Sequence, residues 1–310
     1  MEHRTYIRAV PASDVNRVAR FCVANPGPGK PARNFSRLAA AQTLLEARLE
    51  GQLAGVVGLD LTDRSMAGPW VGAGVGQAVL ARQLLVAAER LAARYGMAQL
   101  TVYPAEQSAD FYADNGYWKV AGERGGRPGL ARSIVRRATR FGRRVREISA
   151  SLGIPSDYGA RHQLPLQPEA TRLTSIGKDV FGREQKMAPN AASAWRRMVS
   201  EAASDGVAFE PVSAFRTVDY QAELIRRKLQ KGQSLEQILS VSAAPGYSEH
   251  HSGRAIDITA PGFEVLEEPF EGSPAFDWLM ANAERFGFSL SYPRDNPHGV
   301  AYEPWHWLHK

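Results

Sequence analysis

The chain has one cysteine in 310 residues, so no intramolecular disulfide can brace it, which fits a reducing compartment. That cysteine, Cys22, lies in the apolar run Phe21-Cys22-Val23 and reads as a buried core thiol rather than a nucleophile. No uninterrupted apolar run reaches the roughly 18 residues of a membrane helix, and the opening Met1-Glu2-His3-Arg4-Thr5-Tyr6 has no apolar signal core. These absences lead to the expectation of a cytoplasmic protein with no transmembrane segment. A further absence is local: between Arg124 and Arg146 there are nine arginines and no acidic residue. Without those nine, 29 of the 38 lysines and arginines remain against 32 aspartates and glutamates, so the net positive charge belongs to this segment. With 44% hydrophobic and 23% charged residues, the composition is that of a soluble globular protein and excludes collagenous, fibrous and broadly disordered classes. The length predicts two domains, each able to bury a core.

The stretch that carries chemistry is Ser248-Glu249-His250-His251-Ser252-Gly253-Arg254-Ala255-Ile256-Asp257, read together with Glu303-Pro304-Trp305-His306 near the end. Two histidines, an aspartate and a spare glutamate are what a catalytic zinc site needs: three protein ligands, a fourth position for water, and a carboxylate to take that water's proton. Ala255 to Thr259 alternates like a strand, which puts Ala255 and Asp257 on one face and Ile256 and Ile258 on the other. Gly253 marks the bend into it, and a small residue there leaves room for His250 to reach the metal. The aromatic, proline-containing run Tyr302 to Trp307 reads as a second strand, at an edge or bulge, whose irregularity turns Glu303 and His306 towards one site.

The ordered set S-x-H-x-x-G-x-A-x-D and E-P-W-H resembles the VanY-type D-alanyl-D-alanine carboxypeptidases of the lysostaphin, D-Ala-D-Ala metallopeptidase and sonic hedgehog superfamily. Val212-Ser213-Ala214-Phe215-Arg216-Thr217 with Tyr220-Gln221, Pro245-Gly246-Tyr247, Phe286-Gly287-Phe288 and Ser291-Tyr292-Pro293 extend the resemblance from about residue 170 to the end. Ala214-Phe215 stand where the family has Gly-Tyr. The resemblance implies that His250, Asp257 and His306 bind Zn2+ and that Glu303 is the general base. It implies that Arg216 stabilises charge developing on the substrate, and that Ser248, Gln221 and Trp305 bind substrate or support the ligands. A His2Asp site leaves one net positive charge on the metal centre, so carbonyl polarisation benefits from a guanidinium that keeps its proton. His251, next to the first ligand, is a competing donor.

The N-terminal part reads as a strand at Tyr6 to Val10, a helix capped by Ser13 or Asp14 with Val15, Val18, Ala19 and Cys22 at helical spacing, and a Leu44–Leu49/Leu53–Leu61 hairpin. A glycine run, Val71 to Gly76, then opens a helix over Ala78 to Tyr95, and the segment before this run lacks a strand pattern. A strand at Gln99 to Tyr103 and a short helix at Ser108 to Asn115 follow. Glycines entering a helix N-terminus free backbone N–H groups for a pyrophosphate. Together with Tyr112 and Asn115-Gly116-Tyr117, this order resembles the GNAT N-acetyltransferases over residues 4 to 122. The resemblance implies acetyl-CoA held at Gly74 and Gly76 with Tyr112 as general acid, although Val71 stands where the family has Arg or Gln; a degenerate, non-catalytic module is the other reading.

The resulting expectation is an α+β protein in three parts: a GNAT-like mixed α/β domain at 1–122, an Arg-rich linker at 123–165, and an α+β zinc peptidase domain with a small antiparallel sheet at 166–310. The linker reads as a basic amphipathic helix from about Leu130 to Ile148. It either pairs its arginines with acidic domain surfaces, the simpler reading, or contacts an anionic surface; no motif for sequence-specific nucleic acid is present. In the last part Ile176 to Met187 reads as an entry loop, and helices are expected at Ala188 to Ala203, Tyr220 to Leu229, Leu235 to Val241 and Pro274 to Phe286. The implied activity is hydrolysis of the C-terminal D-alanyl bond of a peptidoglycan precursor or muropeptide. The competing readings are a peptidoglycan endopeptidase and an acetyl-CoA-dependent N-acetyltransferase acting on a cell-wall-derived or peptide acceptor.

Overall fold

The computed structural model describes residues 5–25, 35–73, 76–124, 126–134 and 139–310. Two units divide the chain by their internal contacts: residues 1–143 with 156–165, and residues 144–155 with 166–310. Both are mixed α+β. No helix among the described residues is long and apolar enough to cross a membrane.

In the first unit, strand β1 (Thr5–Ala9) leads into helix α1 (Val15–Ala24), whose residues Val15, Val18 and Cys22 are buried. Helix α2 (Phe35–Ala40) follows, then the hairpin of β2 (Leu44–Leu49) and β3 (Gln52–Asp60). The hairpin turns on Glu50 and Gly51, both at positive φ, which matches the twist of paired strands. A strand absent from the sequence expectation, β4 (Ser65–Val71), precedes the glycine run. Gly68 and Pro69 hide it from a propensity reading, while pairing with β3 makes it a strand.

Helix α3 (Gln77–Arg94) starts from Gly76 in the left-handed conformation; β5 (Gln99–Val102), α4 (Ala109–Asp114), β6 (Trp118–Arg124) and β7 (Arg127–Ser133) complete the unit's sheet and helices. The strand order is β1-β2-β3-β4-β5-β7-β6. Every pair is antiparallel except β4 and β5, which register only at Ser65 with Thr101 and Met66 with Val102 before parting. Val18, Cys22, Leu44, Val56 and Trp70 cluster together, while Val57, Leu59, Leu84, Ala88, Leu100 and Tyr112 form a separate core. The adjacent Val56 and Val57 thus point to opposite faces, as the period of a strand requires.

The basic segment is corrected by β7. Leu130 pairs with Val102 and Lys119, so the helix expected from Leu130 begins only at α5 (Arg140–Ser151). Arginine is compatible with either element, and it is the two flanking strands that claim residues 127–133. A short helix α6 (Tyr158–Arg161) follows.

In the second unit the expected entry loop is a two-stranded hairpin, β8 (Thr174–Lys178) and β9 (Glu184–Met187). Asp179 builds its turn by accepting from the Phe181 and Arg183 amides, each at 2.9 Å. Helix α7 (Pro189–Ser204) begins with proline at its first position, where the missing N–H costs nothing. Then come β10 (Glu210–Ser213), α8 (Val218–Gln230), α9 (Leu235–Ser240), β11 (Ala255–Thr259), α10 (Pro274–Asn282), β12 (Phe288–Leu290) and β13 (His306–His309). The four-stranded antiparallel sheet runs β10-β11-β13-β12. Ile256, Ile258, Trp195, Met198, Phe288 and Trp307 pack in its core.

The strand expected over Tyr302 to Trp307 begins only at His306 and lies inside the sheet rather than at its edge. Pro304 cannot donate to a ladder, and the His306 amide bonds the Glu303 carbonyl at 3.1 Å. The segment before β13 is therefore a turn.

Candidate metal centre

Strand register brings the polar residues together. Asp257 on β11 stands opposite Ser213 on β10 and opposite His306 on β13. Residues directly opposite across antiparallel strands share a face, so Ser213, Asp257 and His306 form one row, with Ile256 and Ile258 turned to the core. His250 enters from the 3-10 turn Glu249–Ser252, which Gly253 ends at a φ of 68°. A Cβ at Gly253 would meet the Ala188 amide, Ala170 and Leu173 at 3.0 to 3.2 Å, so glycine serves both the turn and the close packing around it.

One donor atom from each of His250, Asp257 and His306 lies within 4.8 Å of the other two, and all three residues are buried. His250 Nδ1 faces the Ala214 carbonyl at 2.5 Å; an acceptor there fixes the proton on Nδ1 and leaves Nε2, which lies beside Arg216 and Asp257, as the lone-pair donor. His306 Nδ1 lies 2.9 Å from Asp257 Oδ1, and its Nε2 lies 3.0 Å from Glu249 Oε2. Glu249, absent from the sequence expectations, is thus the carboxylate that orients His306. Its signal in the sequence is only its place directly before His250.

The electrostatics favour a cation. Burial works against a charge on Asp257, but His250, His306 and Arg216 hold its carboxyl well below the usual carboxylate range. Burial likewise opposes protonation of His306, yet Asp257 and Glu249 push it up to about 10. For His250 burial wins, with Arg216 adding to it, and the ring is pushed down to about 4, a neutral donor. A tight set of two imidazoles and a carboxylate, with a second carboxylate behind one ring, fits a divalent zinc ion in donor type and charge.

Glu303 Oε2 lies 3.7 Å from His306 Nδ1, and its amide donates to the Tyr292 carbonyl at 3.1 Å. Burial pushes its carboxyl up to about 7 against the pull of His306. Tyr292 also packs its ring 4.9 Å from that of His306. Arg216 Nη2 donates to Asp257 Oδ2 at 2.6 Å and lies 2.6 Å from His250 Nε2. Its Nε donates to the Ser213 hydroxyl at 2.9 Å, and Gln221 Oε1 accepts from Nη1 at 3.4 Å.

The other expected residues fall in different places. Ser248 is buried at the head of the turn, its carbonyl accepting from the His251 amide at 3.1 Å. Trp305 packs against the hydrophobic core and its carbonyl accepts from the Ile258 amide. His251 has both ring nitrogens engaged, Nε2 accepting from the Gly246 amide at 3.0 Å and Nδ1 facing the Arg216 carbonyl at 2.7 Å. It therefore holds the Arg216 backbone and offers no free donor to an ion. In the first unit, Gly76 opens α3 while Gly74 lies outside the described residues. Tyr112 is 1% exposed. Its hydroxyl donates to the Gly68 carbonyl, on β4, and burial pushes the phenol above its ordinary range.

Residues 184–310 match the family model "VanY: D-alanyl-D-alanine carboxypeptidase". A D-alanyl-D-alanine carboxypeptidase of Enterococcus faecalis is 36% identical over 116 residues, covering 34% of this chain and 41% of the relative. A bifunctional D-Ala-D-Ala dipeptidase and carboxypeptidase of Enterococcus gallinarum, VanXYC, is 33% identical over 38% of this chain and 64% of its own length. The solved LdcB LD-carboxypeptidase superposes with a TM-score of 0.42 at 29% identity, over 46% of this chain and 69% of that one. The chain thus spans less than two thirds of each of these two curated relatives. His250, Asp257, Glu303 and His306 all lie inside the matched residues, so it is the stretch 184–310, with the candidate metal centre, that is similar to the VanY family.

Proposed function

We propose that this domain is a zinc-dependent D-alanyl-D-alanine carboxypeptidase that removes the last residue of a peptidoglycan precursor or muropeptide. The observation that carries the reading is the buried donor set of His250, Asp257 and His306, converging within 4.8 Å, with Glu303 beside it. A zinc ion held by these three residues supplies Lewis acidity and makes a water a nucleophile near neutral pH.

The remaining roles fall to the chain's own groups. Glu303, with a carboxyl near 7, has the basicity to take the proton of the attacking water and return it to the departing amine nitrogen. Water adds to the carbonyl carbon, the C–N bond breaks, and the products are a shortened peptide with a new carboxylate and free D-alanine. Arg216, anchored by Ser213 and Gln221, is a fixed cation at the edge of the donor set, suited to negative charge growing on the carbonyl oxygen. Glu249 holds His306 in one orientation.

The test is mass analysis of zinc-loaded protein incubated with muramyl pentapeptide and tetrapeptide. Loss of a single alanine from one of them, abolished in Glu303→Ala while zinc stays bound, is the expected result. Intact peptides in the presence of bound zinc would sink the carboxypeptidase reading and turn attention to endopeptidase substrates. For the first unit, acetyl-CoA titration against the protein tests the acetyltransferase reading.

A further inference from the structure

Helix α8 carries Gln221 and Lys228 two turns apart, and both bond the segment that leads into the His250 turn. Gln221 Nε2 donates to the Ala243 carbonyl at 2.9 Å, and Lys228 Nζ donates to the Ser242 hydroxyl at 3.1 Å. Just before that segment, the Ser240 carbonyl accepts from the Ala301 amide at 2.9 Å, two residues ahead of Glu303. Lys228 therefore belongs to the wall that adjoins the Glu303 turn. Burial pushes its ammonium below the ordinary lysine range, with Arg216 adding to that and Glu303 opposing it.

Lys228 is also half-buried and forms no ion pair among the described residues. Arg216 differs, since it is ion-paired with Asp257 at 2.6 Å. A partly desolvated ammonium with a single hydroxyl partner is unfavourable on its own and becomes favourable when a carboxylate joins it. The bound peptide brings one such group that Arg216, assigned to the carbonyl oxygen, does not take: its own C-terminus.

We propose that Lys228, steadied by Ser242, receives the terminal carboxylate of the peptide and so confines cleavage to the last peptide bond. The inference rests on the carboxypeptidase reading of the neighbouring site and names the residue that sets its exo-specificity. An endopeptidase has no use for a fixed cation here, because its substrate continues past the scissile bond as a neutral amide.

The test measures binding of a D-alanyl-D-alanine-terminated pentapeptide, as free acid and as C-terminal amide, to zinc-loaded protein in a Glu303→Ala background. The acid is expected to bind about tenfold to a hundredfold tighter, the effect of one charge-assisted hydrogen bond. Lys228→Met should erase that ratio by weakening the acid alone, and Lys228→Arg should restore most of it. A preference for the acid that survives Lys228→Met, or equal weakening of acid and amide, overturns the proposal. Should Lys228→Met fail to fold, Ser242→Ala reads the same ratio, which must fall. Turnover of the free acid by the otherwise unaltered protein separates the two readings. A Lys228-dependent preference without cleavage leaves the carboxylate anchor and removes the carboxypeptidase, whereas cleavage with a Lys228-independent preference does the opposite.

Discussion

Each group at the centre owes its state to one or two neighbours. Glu249 is the clearest case, because its carboxylate faces His306 Nε2 at 3.0 Å. Glu249→Ala should weaken zinc binding by about 10–100-fold, as loss of an orienting partner does, measured by competition against a chromophoric chelator. Unchanged zinc affinity would remove Glu249 from the site. His251 gives a contrasting prediction: His251→Ala leaves the Gly246 amide and the Arg216 carbonyl without their partners, so it should lower thermal stability and turnover while the ratio of bound zinc stays at that of the unaltered protein. At this scale the spacings in the sequence pointed to His250, Asp257, Glu303 and His306, and the fold brings these four residues together. Glu249 and Lys228 were not legible, because an acidic residue before a histidine and a lysine on a helix are too common to stand out.

Among the elements, the loop before the His250 turn and helix α5 are fitted to one another. Gly246 has a φ of 86°, and a Cβ there would approach Val145 side-chain atoms at 2.3 and 2.5 Å. Gly246→Ala should therefore destabilise the protein by about 2–4 kcal/mol, combining left-handed backbone strain with overpacking, and a denaturant midpoint measures it. Val145→Ala in the same chain should recover part of the loss, because it removes the clash and leaves the strain. The helices were legible wherever apolar residues recur at helical spacing, as along α1 and α7. The β8–β9 hairpin and β4 were not, since glycine, proline or charged residues interrupt them and pairing alone makes them strands. The turn at 302–305 went the same way: its aromatics suggest a strand, and Pro304 together with the His306 to Glu303 bond decides otherwise.

At the scale of the molecule, the two units have separate sources of stability that separate perturbations should reveal. In the first, Glu46 is fully buried and bonds Arg48, Arg8 and Arg17 at 2.7 to 2.8 Å. Burial would raise its pKa, but these arginines win and the folded value lies below the ordinary one. Its contribution is therefore present above the ordinary glutamate range and lost as pH falls through the depressed folded value. Acid should destabilise the first unit through this group, and Glu46→Gln should flatten that dependence in amide exchange or melting followed against pH. Zinc should act on the other unit, raising its stability by about 2.7 kcal/mol at a free concentration one hundred times the dissociation constant, with chelation reversing the shift. What the sequence determined by itself is what local covalent order can carry: residue types, the spacing from His250 to Asp257, helical periodicity, and the charge gathered in one segment. Tertiary structure alone decided the row Ser213–Asp257–His306, the partners of the two imidazoles, the pairing of Glu249 with His306 and the place of Lys228. Each of these depends on strand register or on a partner dozens of residues away, and such partners are chosen by burial and hydrogen bonding across the whole fold rather than by any pattern in the chain.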